Sequence, residues 1–318
     1  MTKTRVFVAG HTGMVGTAIV RLLKKKNIHL ITKTRAELDL SNQLAVENFF
    51  RVEKPHQIYV AAAKVGGINA NIMKPAEFIY ENLMIQSNII HAAFLNKIKK
   101  LLFISTSCVY PKNSNQPIKE HSLLSGYLEE SVEPYAVAKI AGMKMCEAYN
   151  NQYSKKYLID YRSIVPNNLY GPGDSYNQEN SHVVAALIKK FHEAKIKKQS
   201  KVILWGSGKP LREFLYLDDF VESCIVLMNT DRKYLNKKKL SLNYFNVGSG
   251  LETSIYELAQ IIKKVVKYDG MIEFDVSKPD GALRKFLDSK SIKSLGWKPK
   301  VSIFEGLKKT YQNFEDLG

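Results

Sequence analysis

The chain is short of cysteine and arginine and has no long apolar run. Its three cysteines, Cys108, Cys146 and Cys224, are odd in number and fit no zinc spacing. No disulfide framework or metal knuckle is expected, and free thiols point to a reducing compartment such as the cytoplasm. No apolar stretch reaches the roughly eighteen residues a spanning helix needs, so no membrane partner is expected. The opening MTKTRVFVAGHTG runs almost at once into a strand pattern. It holds no apolar leader with a small-residue cleavage site, so a secretory signal is not expected. Only eight of the 47 basic residues are arginine. The net charge of +17 raises nucleic acid as a partner. The lysines, however, are scattered over helix faces, as at 24–26 and 97–100. They read as a solvated surface without a nucleic-acid partner, and as a field that steers an anionic substrate. A share of 45% apolar and 24% charged residues is that of an ordinary globular chain, and 318 residues allow one large domain or two smaller ones.

Strand and helix patterns alternate from the start. RVFVAG (5–10) is a short apolar strand ending in glycine, followed by helical spacing over Met14–Lys26. HLITK (29–33), QIYVAAA (57–63) and KLLFISTS (100–107) read as strands, the last two with the unbroken apolar runs of a parallel sheet. Helices are expected at Gln43–Glu53, Pro75–Leu95 and Pro134–Tyr153, the last with proline in its first turn. Residues 157–171 begin as a strand and break at Pro166. This βαβαβ order predicts an α/β fold with a Rossmann-type doubly wound parallel sheet. Past residue 170 the pattern changes to a Gly/Pro/Asn/Ser loop, a helix (183–198), a strand (201–205), REFLYLDDF (212–220), a last sheet strand (243–250) and helices at 254–267 and 303–314. A smaller mixed α/β substrate domain is therefore expected. Residues 1–165 and 215–250 are assigned to the cofactor-binding domain, and 166–214 and 251–318 to the substrate domain.

The first βα junction reads Gly10-His11-Thr12-Gly13-Met14-Val15-Gly16. At this spacing the first glycine permits a tight turn, the second lets backbone approach a pyrophosphate, and the third packs helix on strand. The following helix start offers free N–H groups to phosphate. Dinucleotide binding is expected here, with Ala61 and Ala63 at the end of a neighbouring strand. NAD sites carry an acidic residue after the second strand. This chain has Lys33-Thr34-Arg35 instead, and two cations suit the 2′-phosphate of NADPH/NADP+. Asp39 reads either as a contact to adenine or as the cap of the next helix.

Tyr135 and Lys139 stand four apart on a helix, so their side chains share a face. An ammonium beside a phenol is expected to lower the phenol pKa, and such a tyrosine donates a proton to a carbonyl as hydride arrives. The pair follows a Ser105-Thr106-Ser107-Cys108-Val109-Tyr110 strand end. With the glycine loop, these residues resemble the extended short-chain dehydrogenase/reductases. AAAKVGGINAN (61–71), SCVYP (107–111), EPYAVAKIAG (133–142), NLYGP (168–172), NSHV (180–183), WGSGKPLREF (205–214) and KPDGALRK (278–285) narrow the likeness to the GDP-L-fucose synthase family. It runs from residue 5 to the C-terminus.

The resemblance implies NADPH-dependent reduction at C4 of a GDP-linked 4-keto sugar, with 3,5-epimerisation before it. Carried over by position, the catalytic set is Thr106, Tyr135 and Lys139, with Cys108 and His182 as the epimerising acid/base pair. The substrate set is Ser107, Cys108, Asn168, His182, Lys190, Trp205, Arg212 and Lys285; the cofactor loop includes Thr12, Met14 and Val15, and Tyr135 and Lys139 also touch the cofactor. Three positions depart from the family. Thr106 stands for serine, Lys190 for arginine, and Thr12 for an arginine that would touch the 2′-phosphate. Bland readings stand beside these: Cys108 as a buried small residue, His182 as a helix-start hydrogen bonder and Trp205 as core. The main alternative reaction is C4 reduction without epimerisation, on another GDP-4-keto sugar such as a heptose. A dehydratase is disfavoured because Ser107-Cys108 lacks an acid, and an NAD-retaining 4-epimerase by Lys33 and Arg35. The resemblance also implies a homodimer through helices 76–96 and 134–152.

Overall fold

The computed structural model describes residues 3–176, 181–238, 240, 243–278 and 280–316. Its strands are β1 (Thr4–Ala9), β2 (Ile28–Ile31), β3 (Gln57–Val60), β4 (Lys100–Ile104), β5 (Asp160–Pro166), β6 (Asn168–Tyr170), β7 (Lys201–Trp205), β8 (Leu211–Tyr216), β9 (Tyr244–Val247), β10 (Glu252–Ser254), β11 (Met271–Asp275) and β12 (Arg284–Lys285). Its helices are α1 (Met14–Leu23), α2 (Gln43–Glu53), α3 (Ile68–Met73), α4 (Pro75–Leu95), α5 (Glu133–Tyr157), α6 (Val183–Ile196), α7 (Leu217–Asn229), α8 (Arg232–Lys237), α9 (Ile255–Val266), α10 (Lys290–Lys293) and α11 (Ile303–Glu315). None of the described helices is long and apolar enough to cross a membrane.

Six strands form one parallel sheet in the order β2-β1-β3-β4-β5-β9. The alternation of side chains along each strand explains the unbroken apolar runs. Phe7, Ile58, Val60, Leu101 and Phe103 join a core on one face, with Val46 and Phe50 of α2 and Ile89 and Ile90 of α4. Val6, Val8, Tyr59, Leu102 and Ile104 join the core on the other face, with Ile19 of α1 and Phe220 and Leu227 of α7. Ile292 and Trp297, from late in the chain, also pack into this second core. A third core holds α6, α9 and α11 against β7 and β8 through Phe191, Leu204, Phe214, Leu258 and Leu307. There β10, β8 and β12 form a small sheet with β6 added on β8, while β7 pairs with β11.

The expected strands 57–63 and 100–107 end at Val60 and Ile104. Beyond them the chain passes the carboxyl edge of the sheet, with Ala61 and Ser105 still donating to Ala9 O and Ile164 O. In 212–220 the strand stops at Tyr216, and Asp218 and Asp219 open α7, where carboxylates suit the positive end of the helix dipole. The short elements α3, α8, β10, β11 and β12 had no periodic signal of useful length.

Candidate active site

The order of the parallel sheet reverses at β1, whose neighbours are β2 and β3. Open α/β sheets bind ligands beyond the carboxyl ends of strands at such a point. The loop after β1 has Gly10 at φ +79, and a Cβ there would fall 2.6 Å from the backbone of Ala62. The β1 and β3 loops thus pass backbone to backbone. A Cβ on Gly16 would lie 2.0 Å from the Gly10 carbonyl oxygen, so α1 docks on the loop only through glycine. Gly13 differs: a Cβ there would meet nothing closer than the Gly10 oxygen at 3.6 Å. That face of the loop is open. Gly13 begins α1 with no side-chain cap and no acid in the first turn, and Met14 and Val15 lie half-buried behind exposed Thr12. Free N–H groups without a competing carboxylate suit a pyrophosphate. Ala61 N donates to Ala9 O at 3.0 Å, and Ala61 to Ala63 are half-buried along the same crevice.

Past β2, both expected cations are present and both are paired. Lys33 Nζ stands 3.5 Å from Glu37 Oε1, whose other oxygen accepts Thr34 N at 2.7 Å. Arg35 stands 3.8 Å from Glu81 of α4, with 78% of its side chain exposed. Asp39 is not the cap of α2. That role belongs to Asn42, whose side chain accepts Ala45 N at 3.0 Å. Asp39 Oδ1 instead accepts Ser41 N and Oγ at 2.9 and 2.7 Å, which holds its carboxyl below the usual range.

The end of β4 gathers the residues expected to handle protons. Thr106 caps a short 3-10 turn at Ser107–Val109, its hydroxyl accepting Cys108 N at 3.3 Å. Ser107 is buried in that turn, and Cys108 is half-buried with a free thiol. α5 brings Tyr135 to the same corner, where its ring meets Phe78 edge-on at 6.2 Å. Lys139, one turn on, is buried and donates to the Ile104 carbonyl at 3.0 Å. Its ammonium lies 4.7 Å from the centre of the Phe103 ring and 5.9 Å from that of Tyr135. The expected depression of the phenol pKa is not found. Burial pushes the Tyr135 phenol up, with the Cys108 sulfur adding to it, and the same dry setting pushes Lys139 down to about 7. Desolvation outweighs a charge that sits under the ring and is bonded to the sheet.

A third group reaches this corner from the small sheet. Lys285 Nζ is 3.8 Å from Cys108 Sγ. Its strand pairs with β8 so that Lys285 lies beside Arg212, whose guanidinium donates to Leu211 O at 2.8 Å and Ala282 O at 2.6 Å. Burial lowers the Arg212 pKa. Asn168 Nδ2 donates to Glu213 O at 3.1 Å. Lys190, on α6, bonds the Ile203 carbonyl, and partial burial lowers its pKa. Trp205 is not core: it is 71% exposed, with Lys278 over its ring at 5.7 Å. The buried indole is Trp297. His182 stands at the N-cap of α6 but its side chain makes no capping bond, so the helix-start role is not found either. It is exposed and lies near the half-buried Asp174, whose carboxyl burial pushes up. Asn180 and Pro279, which belong to two of the quoted motifs, lie outside the described residues. No group of side chains that could hold a metal ion occurs among the described residues.

One residue of this region was not read from the sequence. Glu213 is fully buried on β8, beside Arg212. Its carboxylate accepts Asn167 Nδ2 at 2.7 Å, Gly250 N at 2.7 Å and Leu287 N at 3.2 Å. Asn167 Nδ2 also donates to the carbonyl of Lys285 at 3.0 Å. Glu213 therefore holds the segment that carries Lys285. Its only sequence signal was an acid within an apolar strand.

The model of the NAD dependent epimerase/dehydratase family matches residues 6–248. A GDP-L-fucose synthase of Escherichia coli K12 is 51% identical over 316 residues, covering 99% of this chain and 97% of that one. Among solved structures, a GDP-6-OMe-4-keto-L-xylo-heptose reductase from Campylobacter jejuni is similar with a TM-score of 0.92 at 38% identity, covering 100% of this chain and 99% of that one. A GDP-mannoheptose C4 reductase from Campylobacter jejuni, solved with NADP bound, gives a TM-score of 0.88 at 39% identity and covers 99% of each chain.

Proposed function

This chain belongs to the NAD dependent epimerase/dehydratase family, and we propose that within it the protein epimerises C3 and C5 of a GDP-linked 4-keto-6-deoxy sugar and then reduces C4 with NADPH, as a GDP-L-fucose synthase does. The observation that carries this reading is an identity of 51% with such a synthase, sustained over 99% of the chain. The geometry supports it. Gly10, Thr12, Gly13, Met14, Val15, Ala61 and Ala63 offer a bare backbone cradle to NADP(H), with Lys33, Arg35 and Asp39 at its adenosine end. Bound there, NADPH supplies the hydride.

Tyr135 then gives its proton to the C4 oxygen. Burial keeps the phenol protonated at neutral pH, which suits an acid in the reductive direction. Thr106 donates a second hydrogen bond to that oxygen, and the Lys139 ammonium offsets the phenolate left behind. In the preceding steps the ketone acidifies the protons at C3 and C5. Cys108 and His182 remove and return them on opposite faces, while Tyr135 and Thr106 hold the enolate oxygen. Ser107, Asn168, Lys190, Trp205, Arg212 and Lys285 are assigned to the nucleotide sugar. Residues 1–165 and 215–250 serve the cofactor, and 166–214 and 251–318 the sugar. A homodimer in the cytoplasm completes the reading. Its support is the α4–α5 pair, which leaves Tyr80, Leu95 and Val137 exposed. Sedimentation of the purified chain tests it.

A second reading, C4 reduction without epimerisation, is favoured by the likeness to the two heptose reductases. One experiment separates them. The protein is incubated with NADPH and GDP-4-keto-6-deoxymannose in deuterated water. Deuterium at C3 and C5 of a C4-reduced product supports epimerisation with reduction. Reduced product with protium at both positions overturns it in favour of the second reading, and no reduced product overturns both.

A further inference from the structure

We propose that Glu81 and Lys64 set how strongly this protein prefers NADP(H) to NAD(H), by holding Arg35 in an internal ion pair that an incoming 2′-phosphate must displace. The inference rests on the assignment of Arg35 to that phosphate. Arg35 is the most exposed member of a four-residue charge chain. Its guanidinium faces one oxygen of Glu81 at 3.8 Å, the other oxygen of Glu81 takes Lys64 Nζ at 2.5 Å, and Lys64 also bonds Glu77. Glu77 and Glu81 lie one turn apart on α4, so both carboxylates are on one face.

Lys64 is held for this task at its backbone. Its N–H donates to Asn82 Oδ1 and its carbonyl accepts Asn82 Nδ2, both at 3.0 Å. Asn82 is buried, and Lys64 directly follows the Ala61–Ala63 crevice loop. The two carboxylates hold Lys64 above its ordinary pKa, so it stays charged at any working pH. The four charges sum to zero. Beside them Lys33 is balanced by Glu37. The phosphate clasp is thus electrically muted in the free protein. A phosphate dianion must take Arg35 away from Glu81, and Lys64 shields the dianion from the carboxylate that is released. NAD, with no 2′-phosphate, neither displaces the pair nor feels the shield.

Calorimetric titration of the full chain with NADP+ and NAD+, at low and high salt, tests this. Glu81→Gln keeps the shape and removes the competing charge. It is expected to tighten NADP+ about fivefold at low salt, the scale of one partly screened ion pair, and to leave NAD+ within about twofold. Lys64→Met is expected to weaken NADP+ about threefold, again without moving NAD+. An unchanged or weaker NADP+ affinity for Glu81→Gln overturns the inference, as does an equal shift for both cofactors. Arg35→Gln is the control for the underlying assignment. If it weakens NADP+ while Glu81→Gln does nothing, the phosphate site stands and only the inference falls. If Arg35→Gln has no effect on NADP+, the assignment itself is overturned.

Discussion

Lys139 Nζ donates to the carbonyl oxygen of Ile104 at 3.0 Å, so this ammonium is anchored to the sheet and not to the phenol of Tyr135. The bond is made in a dry pocket that drops the lysine pKa from 10.5 to about 7. The group is therefore costly to the fold and useful only to the site.

That cost has a sign that can be measured. The unfolded chain keeps the Lys139 proton up to the ordinary lysine value of 10.5, while the native protein gives it up at about 7. Between those values the unfolded state holds the extra proton, so this group's contribution to native stability rises with pH across the window. Below it the full cost of a buried ammonium is present. Lys139→Met is expected to raise Tm over the parent most near about pH 6, with the gain shrinking as the window is crossed. Scanning calorimetry of the free enzyme at several pH values checks this. A pH-independent difference would mean that folding does not shift the pKa of this lysine.

Tyr135→Phe removes one oxygen from a half-buried ring that keeps its edge contact with Phe78. The fold and the Kd for NADP+ are expected to hold. Ketone reduction is expected to fall by about 10²–10⁴, the usual worth of a positioned acid. Single-turnover oxidation of NADPH, followed by absorbance, is the readout.

The glycine loop allows a paired test. Gly13→Ala places its methyl 3.6 Å from the nearest atom, so Tm should stay put while the Kd for NADP+ rises. Gly16→Ala drives a carbon to 2.0 Å of the Gly10 carbonyl, and backbone cannot give way as a side chain does. There Tm should fall by several degrees, a loss of about 2 kcal/mol or more. Thermal melts with and without NADP+ separate the two effects.

Much of this site was legible because its signals are local. Helices α2 and α4 begin and end where Pro75 and the apolar spacing place them, and the spacing of Gly10, Gly13 and Gly16 announces a backbone that must be bare. What was not legible depends on packing between distant segments. The sequence puts Lys139 near Tyr135 but cannot say that the ammonium lies under the ring, where burial outweighs attraction. Asp39 reads as a cap on paper, but α2 starts at Gln43, so Asn42 takes that role while Asp39 turns back on Ser41. Trp205 and Trp297 are interchangeable in composition, yet only the second finds a buried acceptor, Asp219 O at 2.9 Å.

Glu213 is the clearest case of a residue visible only in three dimensions, and it carries a prediction. A Cβ on Gly248 would fall 2.2 Å from its Oε1, so the turn after β9 leaves room for this carboxylate alone. Glu213→Gln presents an NH2 to a ring of N–H donors and leaves at least one of them unpaired. A loss of about 2 kcal/mol in urea unfolding is expected. Because Asn167 and Leu287 flank Lys285, the KM for the sugar nucleotide should rise while the Kd for NADP+ is unchanged. Equal loss of both would make Glu213 a plain stabiliser of the fold.

The strand β9, which covers β5, comes from residues 244–247, far behind the other five in the order of synthesis. Until the ribosome has released it, β5 offers an uncovered row of N–H and C=O groups, the kind of template on which nascent chains join one another. The interval between making β5 and making β9 is therefore when this edge of the sheet stands unpaired. A pause in translation within that stretch should lower soluble yield more than the same pause placed after residue 247.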